Sequence, residues 1–245
     1  MNDKHGLLDS ILGAFVPIHQ DGYKFVAGAT LATLILFALA PALGWLAAIV
    51  TAGIAYFFRD PERVTPGREG MVVSAADGKV AAIAKVAAPS ELQLGRETLT
   101  RISVFLSIFD VHIVRAPVAG RIVSSHYVPG AFLNAELDKA SEENERHALV
   151  IETETGEKIG LVLIAGLIAR RIVTFRGEGA SLARGERIGL IRFGSRVDVY
   201  LPAGARVLAE AGQTSIGGET VLAAFGRSEE AVKLSSVTGS GAAEE

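Results

Sequence analysis

Cysteine is absent from this chain of 245 residues, and no block of charge of one sign stands out. Without cysteine the protein forms neither disulfides nor thiolate metal sites, which is compatible with a reducing compartment. The five histidines make no HxH or HxxxH pair, so we expect no metal. The formal net charge is only −3, with acidic and basic residues mixed, which argues against a nucleic acid partner.

Charge is also missing from one long segment, residues 25–58, which Lys24 and Arg59 bracket. A cleavable signal peptide is excluded because the segment begins late, is too long and lacks a processing site. As one helix it would measure about 50 Å, well beyond a hydrocarbon core of roughly 30 Å. Because Pro41 interrupts helical hydrogen bonding, we predict a membrane-associated hairpin of two short helices, residues 25–40 and 45–58.

Alternatives to that hairpin remain open. One is a single tilted span followed by an interfacial segment, and another is a buried hairpin in a soluble protein. Apolar residues within 7–16 repeat at helical spacing and predict a short helix, either at the membrane interface or against the soluble domain. Arg59, Arg63 and Arg68 follow the apolar segment, which predicts that the large C-terminal part lies on the cytoplasmic side of the cell membrane.

Beyond residue 59 the chain consists of short runs rich in valine and isoleucine, separated by glycine and proline. This pattern predicts a mostly-β domain of sandwich or barrel type, with a short helix or loop around residues 135–144. We therefore predict an α+β protein with a helical region over residues 1–58 and a β-rich domain over residues 59–245. The predicted strands are 71–74, 79–86, 101–106, 120–127, 148–152, 158–164, 171–175, 187–193, 197–201, 205–208 and 220–223.

Few residues here can perform demanding chemistry. The Gly194-Ser195 bond lies between two predicted strands, and it is either an ordinary turn or a bond that the serine hydroxyl cuts by attacking the preceding carbonyl. His112 follows Asp110 in an apolar run. A lone histidine is more often structural, but its imidazole titrates near neutral pH and can move protons. The simplest role of Asp77 is to support a turn.

Together these segments resemble the short, membrane-attached form of phosphatidylserine decarboxylase. The resemblance covers nearly the whole chain, and it is the order of the segments after the apolar run that makes it specific. The segments are FFRDPER at 57–63, ADG at 76–78, FDVH at 109–112 with RAP at 115–117, PGAFLNA at 129–135, NER at 144–146 and FGS at 193–195.

The resemblance implies a pyruvoyl enzyme of phospholipid biosynthesis that converts phosphatidylserine to phosphatidylethanolamine. Ser195 would attack the carbonyl of Gly194, and the precursor would split into a larger and a smaller chain. The new end at residue 195 would become a pyruvoyl group, whose ketone forms a Schiff base with the substrate amine and accepts electrons as carbon dioxide leaves.

The resemblance also suggests roles for other side chains. We expect His112, aided by Asp77, to perform the acid–base steps. Arg115 and Arg121 are candidate partners of the lipid phosphate, although structural pairing is an equal alternative for both. Longer family members carry Leu-Gly-Ser-Thr at the cut and a second histidine three residues after the first. Here Phe193 and Arg196 flank the Gly-Ser pair and Arg115 takes the histidine's place, as in the short form, so the cleavage base is less certain than Ser195.

Two other functions are kept. One is decarboxylation of another serine-headgroup lipid, such as archaetidylserine, since the lipid tails place little demand on the sequence. The other is a membrane-anchored β-sandwich module that binds a partner without catalysis and remains uncut. If the protein is this enzyme, its partners are a membrane and a phospholipid substrate, and the two chains of one precursor stay together. A homo-oligomer is compatible with the sequence.

Overall fold

A computed structural model describes residues 16–95, 97–131, 143–166, 171–192 and 195–225. Its N-terminal part is a hairpin of two apolar helices, α1 (Tyr23–Leu39) and α2 (Pro41–Phe57). The predicted helix around 135–144 and the predicted interfacial helix fall largely outside the described residues, as do Phe193 and Gly194.

The hairpin predicted from the sequence is confirmed. Pro41 is the first residue of α2, where its missing N–H would have no helical partner, so this helix begins before residue 45, the predicted start. The Thr33 and Thr51 hydroxyls hydrogen bond between the helices at 2.9 Å. By length and composition, the helical segment Gln20–Leu39 is able to cross a membrane, whereas Pro41–Phe57 is shorter.

The rest of the described chain is built from short strands. They are β1 (Met71–Val73), β2 (Gly78–Ala87), β3 (Thr98–Leu106), β4 (Ile113–Arg115), β5 (Gly120–Val128), β6 (Arg146–Glu152), β7 (Lys158–Ala165), β8 (Arg171–Thr174), β9 (Ser181–Leu182), β10 (Arg187–Arg192), β11 (Ser195–Leu201), β12 (Arg206–Val207), β13 (Thr214–Ser215) and β14 (Val221–Ala224).

Three antiparallel sheets result. The main sheet has eight strands in the order β13-β2-β3-β11-β7-β6-β5-β9, and two three-stranded sheets have the orders β4-β10-β8 and β1-β14-β12. The predicted α+β class with a mostly-β domain is confirmed. All eleven predicted strands are present, and the structure adds three short ones that were not predicted, β4, β9 and β13.

Strand β11 begins with Ser195 and lies in the middle of the main sheet, between β3 and β7. All seven of its residues are buried. Val197 and Val199 belong to the main apolar core, while Tyr200 packs in a second cluster on the other face of the sheet. This alternation places Ser195 on the same face as Val197, toward the main core.

The helical hairpin joins the β domain through a third apolar cluster. Phe57 and Phe58 at the end of α2 pack against Val111 and Ile113, which flank His112, and against Leu190 of β10. The base of the apolar hairpin therefore lies directly against the segment that contains the predicted catalytic histidine.

Candidate active site

Ser195 begins β11 and is completely buried. It pairs with Leu106 of β3 on one side and with Ala165 of β7 on the other. Among the described residues its Oγ has no hydrogen-bond partner. A buried hydroxyl without a partner loses roughly 1–3 kcal/mol of solvation, and a catalytic role is one of the explanations for such a group.

In the part of the chain that the structure describes, the strands before and after residues 193–194 belong to different sheets. β10 ends at Arg192 in one of the small sheets, and β11 begins at Ser195 in the main sheet. Within the described residues these two strands do not pair with each other. A β-hairpin turn joins paired neighbours, so the described strands β10 and β11 do not form a β-hairpin with each other.

A buried ion pair follows Ser195 on the same strand. Nε and Nη2 of Arg196 lie 2.9 Å from the two carboxylate oxygens of Asp198. Both side chains are nearly inaccessible to solvent. Because residues two apart share a face of a strand, this pair lies on the sheet face opposite Ser195 and holds the beginning of β11.

His112 lies between the end of β3 and the beginning of β4 and is fully buried. Its Nδ1–H donates to the carbonyl of Asp110 at 2.9 Å, which makes Nε2 the nitrogen that can accept a proton. Burial lowers the pKa of His112 to about 4, although the hydrogen bond and the negative charge of Asp110 act in the opposite direction. The imidazole is therefore neutral at pH 7.

The backbone of His112 connects it to β10, the strand that precedes Ser195 in the chain. The amide of Ile191 in β10 donates to the carbonyl of His112 at 3.2 Å. Ile191 is followed by Arg192, where β10 ends. His112 and the segment leading to Ser195 are thus held at the same end of the fold.

Asp77 precedes β2 and is fixed by two partners. Its Oδ2 accepts from Arg63 at 2.6 Å, and its Oδ1 accepts from the amide of Gly217 at 2.8 Å. Burial raises the pKa of Asp77 in spite of these two contacts, and the charge of Asp110 adds to the increase. The carboxyl group is held in place but is easier to protonate than an exposed one.

Asp77 and Ser195 lie at the same end of the main sheet. A Cβ atom on Gly78 would lie only 3.3 Å from the Cα of Leu106, and Leu106 pairs with Ser195 on its other side. One strand therefore separates them, a backbone distance of about 10 Å. The charges of Asp110 and Arg59 affect the pKa of both Asp77 and His112, so these residues share one electrostatic environment.

Arg115 is occupied by the segment that follows the hairpin. Its guanidinium donates to the carbonyl groups of Gly185 and Pro61 at 3.0 and 2.9 Å and lies 3.4 Å from Oδ1 of Asp60. Arg187 approaches the same carboxylate oxygen at 2.8 Å. The Arg115 guanidinium therefore has protein partners, which favours structural pairing over binding of the lipid phosphate.

Arg121 is not brought to Ser195. It is exposed near the start of β5, and in the strand register it lies opposite Glu152, the last residue of β6. Ser195 pairs with Ala165, whose amide bonds to the carbonyl of Glu145, just before β6 begins. The two residues therefore lie at opposite ends of the sheet.

A family model described as phosphatidylserine decarboxylase matches residues 50–223. The chain is also 56% identical over 216 residues to a protein of Nitrobacter winogradskyi named phosphatidylserine decarboxylase proenzyme, covering 88% of this chain and 87% of that relative. This chain belongs to the phosphatidylserine decarboxylase family. The matched range begins within α2 and includes Asp77, His112 and Ser195.

Two residues of this family member, Asp110 and Arg63, were given no role in the candidate site from its sequence. Asp110 receives the hydrogen bond of His112 through its carbonyl, and its carboxylate accepts from the amide and hydroxyl of Ser107. Arg63 holds Asp77. The sequence shows Asp110 two residues before His112, but it does not show that the backbone carbonyl of Asp110 accepts from the imidazole. Arg63 lies in the FFRDPER segment, but its partner is fourteen residues away.

No metal site accompanies these residues in the part of the chain that the structure describes. No group of three or more histidine, aspartate or glutamate side chains is arranged there to hold a metal ion. The candidate site of this decarboxylase family member therefore consists of a buried serine, a neutral histidine and a restrained carboxyl group.

Proposed function

We propose that this chain is a phosphatidylserine decarboxylase whose cofactor is made from Ser195. The observation that carries the proposal is the buried, unpartnered Oγ of Ser195 at the beginning of a strand that, within the described residues, does not pair with the strand before it. Family membership supports the same conclusion.

The cleavage proceeds through an ester. Ser195 Oγ bonds to the carbonyl carbon of Gly194 and the peptide C–N bond breaks, so the amide becomes an ester. Removal of the α-proton of residue 195 then expels the Gly194 carboxylate and leaves an enamine at the new chain end. Water replaces ammonia there, which produces a pyruvoyl group. The larger chain ends at Gly194 and the smaller one begins at residue 195.

The residues of the site divide the proton transfers between them. His112 is neutral, and its Nε2 can take a proton from Ser195 or from its α-carbon. Asp77, held by Arg63 and Gly217, supports this base electrostatically. The pyruvoyl ketone supplies an electron sink when carbon dioxide leaves. His112 also gives a proton to the substrate carbon from which carbon dioxide has left.

Membrane attachment through the hairpin completes the proposal. α1 and α2 expose large apolar side chains, including Leu39 at 78% and Ile49 at 69%, and such surfaces are stable only against lipid or another apolar partner. The cytoplasmic side, inferred from Arg59, Arg63 and Arg68, stays a prediction. So do the roles of Arg115 and Arg121 toward the lipid phosphate.

Intact mass spectrometry tests the proposal. We expect the purified wild-type protein to consist of two fragments, the smaller one carrying a pyruvoyl group at its N-terminal end. It should also release carbon dioxide from phosphatidylserine vesicles. Ser195→Ala should leave one uncut mass and no activity. Ser103→Ala is the matched control, since Ser103 is also buried on the main sheet and its Oγ has no hydrogen-bond partner in the described chain.

The outcomes separate the alternatives. A single uncut wild-type mass would refute the pyruvoyl proposal and favour the binding module. Cleavage without release of carbon dioxide from phosphatidylserine, but with release from archaetidylserine, would change the substrate and keep the chemistry. Activity retained in Ser195→Ala would remove the role given to Ser195.

A further inference from the structure

An exposed apolar pair lies beside the candidate site. Ile108 is 46% exposed and Phe109 is 68% exposed, in the loop between β3 and β4 that leads to His112. Exposure of one apolar residue is ordinary, but two consecutive large ones at a loop tip mark an interaction surface more often than a solvated turn. We call residues 107–110 the tip loop.

The tip loop is rigidly built. The Asp110 carboxylate accepts from the amide of Ser107 at 2.8 Å and from its hydroxyl at 2.7 Å. The Asp110 amide donates back to the Ser107 carbonyl at 3.0 Å. These bonds close the loop on itself and leave its apolar side chains outside, so the exposure of Phe109 is maintained by the loop's own hydrogen bonds.

The tip loop is attached to the base of the hairpin. Arg59, the second residue after α2, donates from Nη2 to the carbonyl of Phe109 at 2.6 Å and from Nη1 to the carbonyl of Tyr56. Its guanidinium also lies 3.8 Å from the centroid of the Tyr56 ring. Phe109 is therefore held at the level where the apolar helices end.

Cationic side chains surround this level. Lys24 and Arg192 lie 5.2 and 5.4 Å from the ring of Phe25, near the start of α1, and Arg59 stands at the end of α2. Apolar helices with basic side chains at their base match the boundary between acyl chains and anionic headgroups.

We propose that Ile108 and Phe109 insert into the headgroup boundary of an anionic bilayer as a second membrane contact. The proposal rests on the membrane attachment in the proposed function. The hairpin alone leaves the β domain able to tilt, whereas a second contact fixes its orientation. Because His112 follows Phe109 by three residues, this contact holds the site at headgroup depth.

A single-tryptophan experiment tests the insertion. Trp45 is the one tryptophan of the chain, so the variants W45F/F109W and W45F/A203W each report on one position. Ala203 is an exposed turn residue after β11, at the end opposite Ser195, and serves as the matched control. Both proteins are mixed with vesicles of three parts phosphatidylcholine to one part phosphatidylserine, with and without brominated acyl chains.

The tryptophan emission of W45F/F109W is expected to shift to the blue and to be quenched by shallow bromine atoms, whereas the emission of W45F/A203W should not change. If both proteins float with the vesicles and their emission responds in the same way, the tip loop does not insert and the proposal is wrong. If neither protein floats, membrane attachment itself fails, and the insertion fails with it.

A kinetic experiment asks whether the insertion matters for turnover. The double variant I108S/F109S is expected to raise the vesicle lipid concentration needed for half-maximal rate by roughly tenfold, since two apolar side chains no longer leave water. Self-cleavage and turnover of short-chain, monomeric phosphatidylserine should equal those of wild type. Equal loss on both substrates would indicate damage to the site and overturn the proposal, as would no loss on vesicles.

Discussion

The ring of Phe57, the last residue of α2, lies against the imidazole of His112 with 4.2 Å between their centroids. The apolar hairpin and the proposed catalytic base are thus in direct contact. Phe57 helps to exclude water from His112, and this desolvation is the main cause of its low pKa. The position of the hairpin and the chemistry of the site are physically coupled.

Phe57→Ala should raise the pKa of His112 from about 4 toward its ordinary value of about 6.5, because water replaces the ring. An NMR titration of the His112 ring measures this, with His112→Asn to assign the signal. Phe37→Ala is the control, since Phe37 packs on Trp45 at the other end of the hairpin. An unchanged His112 titration in Phe57→Ala would contradict the coupling.

The low pKa of His112 predicts a definite dependence of stability on pH. Between about pH 6.5 and pH 4 the unfolded chain binds a proton that the folded chain does not, so the free energy of unfolding falls as pH falls through this window. The loss approaches about 3 kcal/mol at pH 4. Above pH 6.5 the contribution is constant.

Urea unfolding of the uncut Ser195→Ala precursor in detergent measures this loss, and the same protein carrying His112→Asn should lack it. The raised pKa of Asp77 has the opposite sign, because the folded state keeps its proton longer and gains stability as pH falls toward 3.8. Identical pH slopes with and without His112 would show that this histidine is not buried as a neutral group.

Asp60→Asn should destabilise the fold. The Asp60 carboxylate neutralises both Arg115 and Arg187, and Arg115 is only 5% exposed. Breaking a buried pair costs about 3–5 kcal/mol, and since the Arg187 side chain is 33% exposed, we expect about 2–3 kcal/mol here.

Glu62→Gln provides the matched control for Asp60→Asn. Glu62 contacts the same Arg187, but its side chain is 86% exposed, so its removal should change the free energy of unfolding by less than about 0.5 kcal/mol. Urea unfolding of both variants in the Ser195→Ala background makes the comparison. Equal effects of the two substitutions would show that the ion pairs of Asp60 with Arg115 and Arg187 do not stabilise the fold.

Gly78→Ala should slow self-cleavage. Gly78 has a φ of +142°, and a Cβ there would lie 2.0 Å from the carbonyl oxygen of Phe105. The turn that holds Asp77 would have to move, which we expect to slow cleavage by about tenfold or more. Gly156→Ala is the control, since its φ is also positive, at +89°, but its Cβ would meet nothing within 4 Å. Mass spectrometry of freshly synthesised protein follows both, and equal cleavage rates in the two variants would contradict the importance of this turn.

Much of the fold was predictable from local patterns. Short runs rich in valine and isoleucine, separated by glycine and proline, predicted the strands because β-branched residues favour strands and glycine and proline favour turns. Pro41 and the uncharged segment predicted the hairpin. Three of the short strands, β4, β9 and β13, were not predicted, and each forms by pairing with a neighbour distant in sequence.

The candidate site was predictable only in part. Ser195, His112 and Asp77 were predicted from the order of motifs, and these roles stay predictions. The structure places Ser195 and Asp77 at one end of the main sheet and His112 in the segment after β3. The contact of His112 with Asp110 was not predicted. The contact of Asp77 with Arg63 was not predicted either, because Arg63 lies in the segment between α2 and β1 and reaches Asp77 only through the fold.

The sequence by itself determined the apolar hairpin, the mostly-β domain and the family, and it indicated the serine proposed at the cut, because each depends on residue type and order along the chain. Tertiary structure decided the rest. Register and packing bring Arg115 to Asp60, place Arg121 at the far end of the sheet and bury His112 against Phe57. These relationships join residues far apart in the chain, and desolvation, which sets their chemistry, exists only once the core has closed.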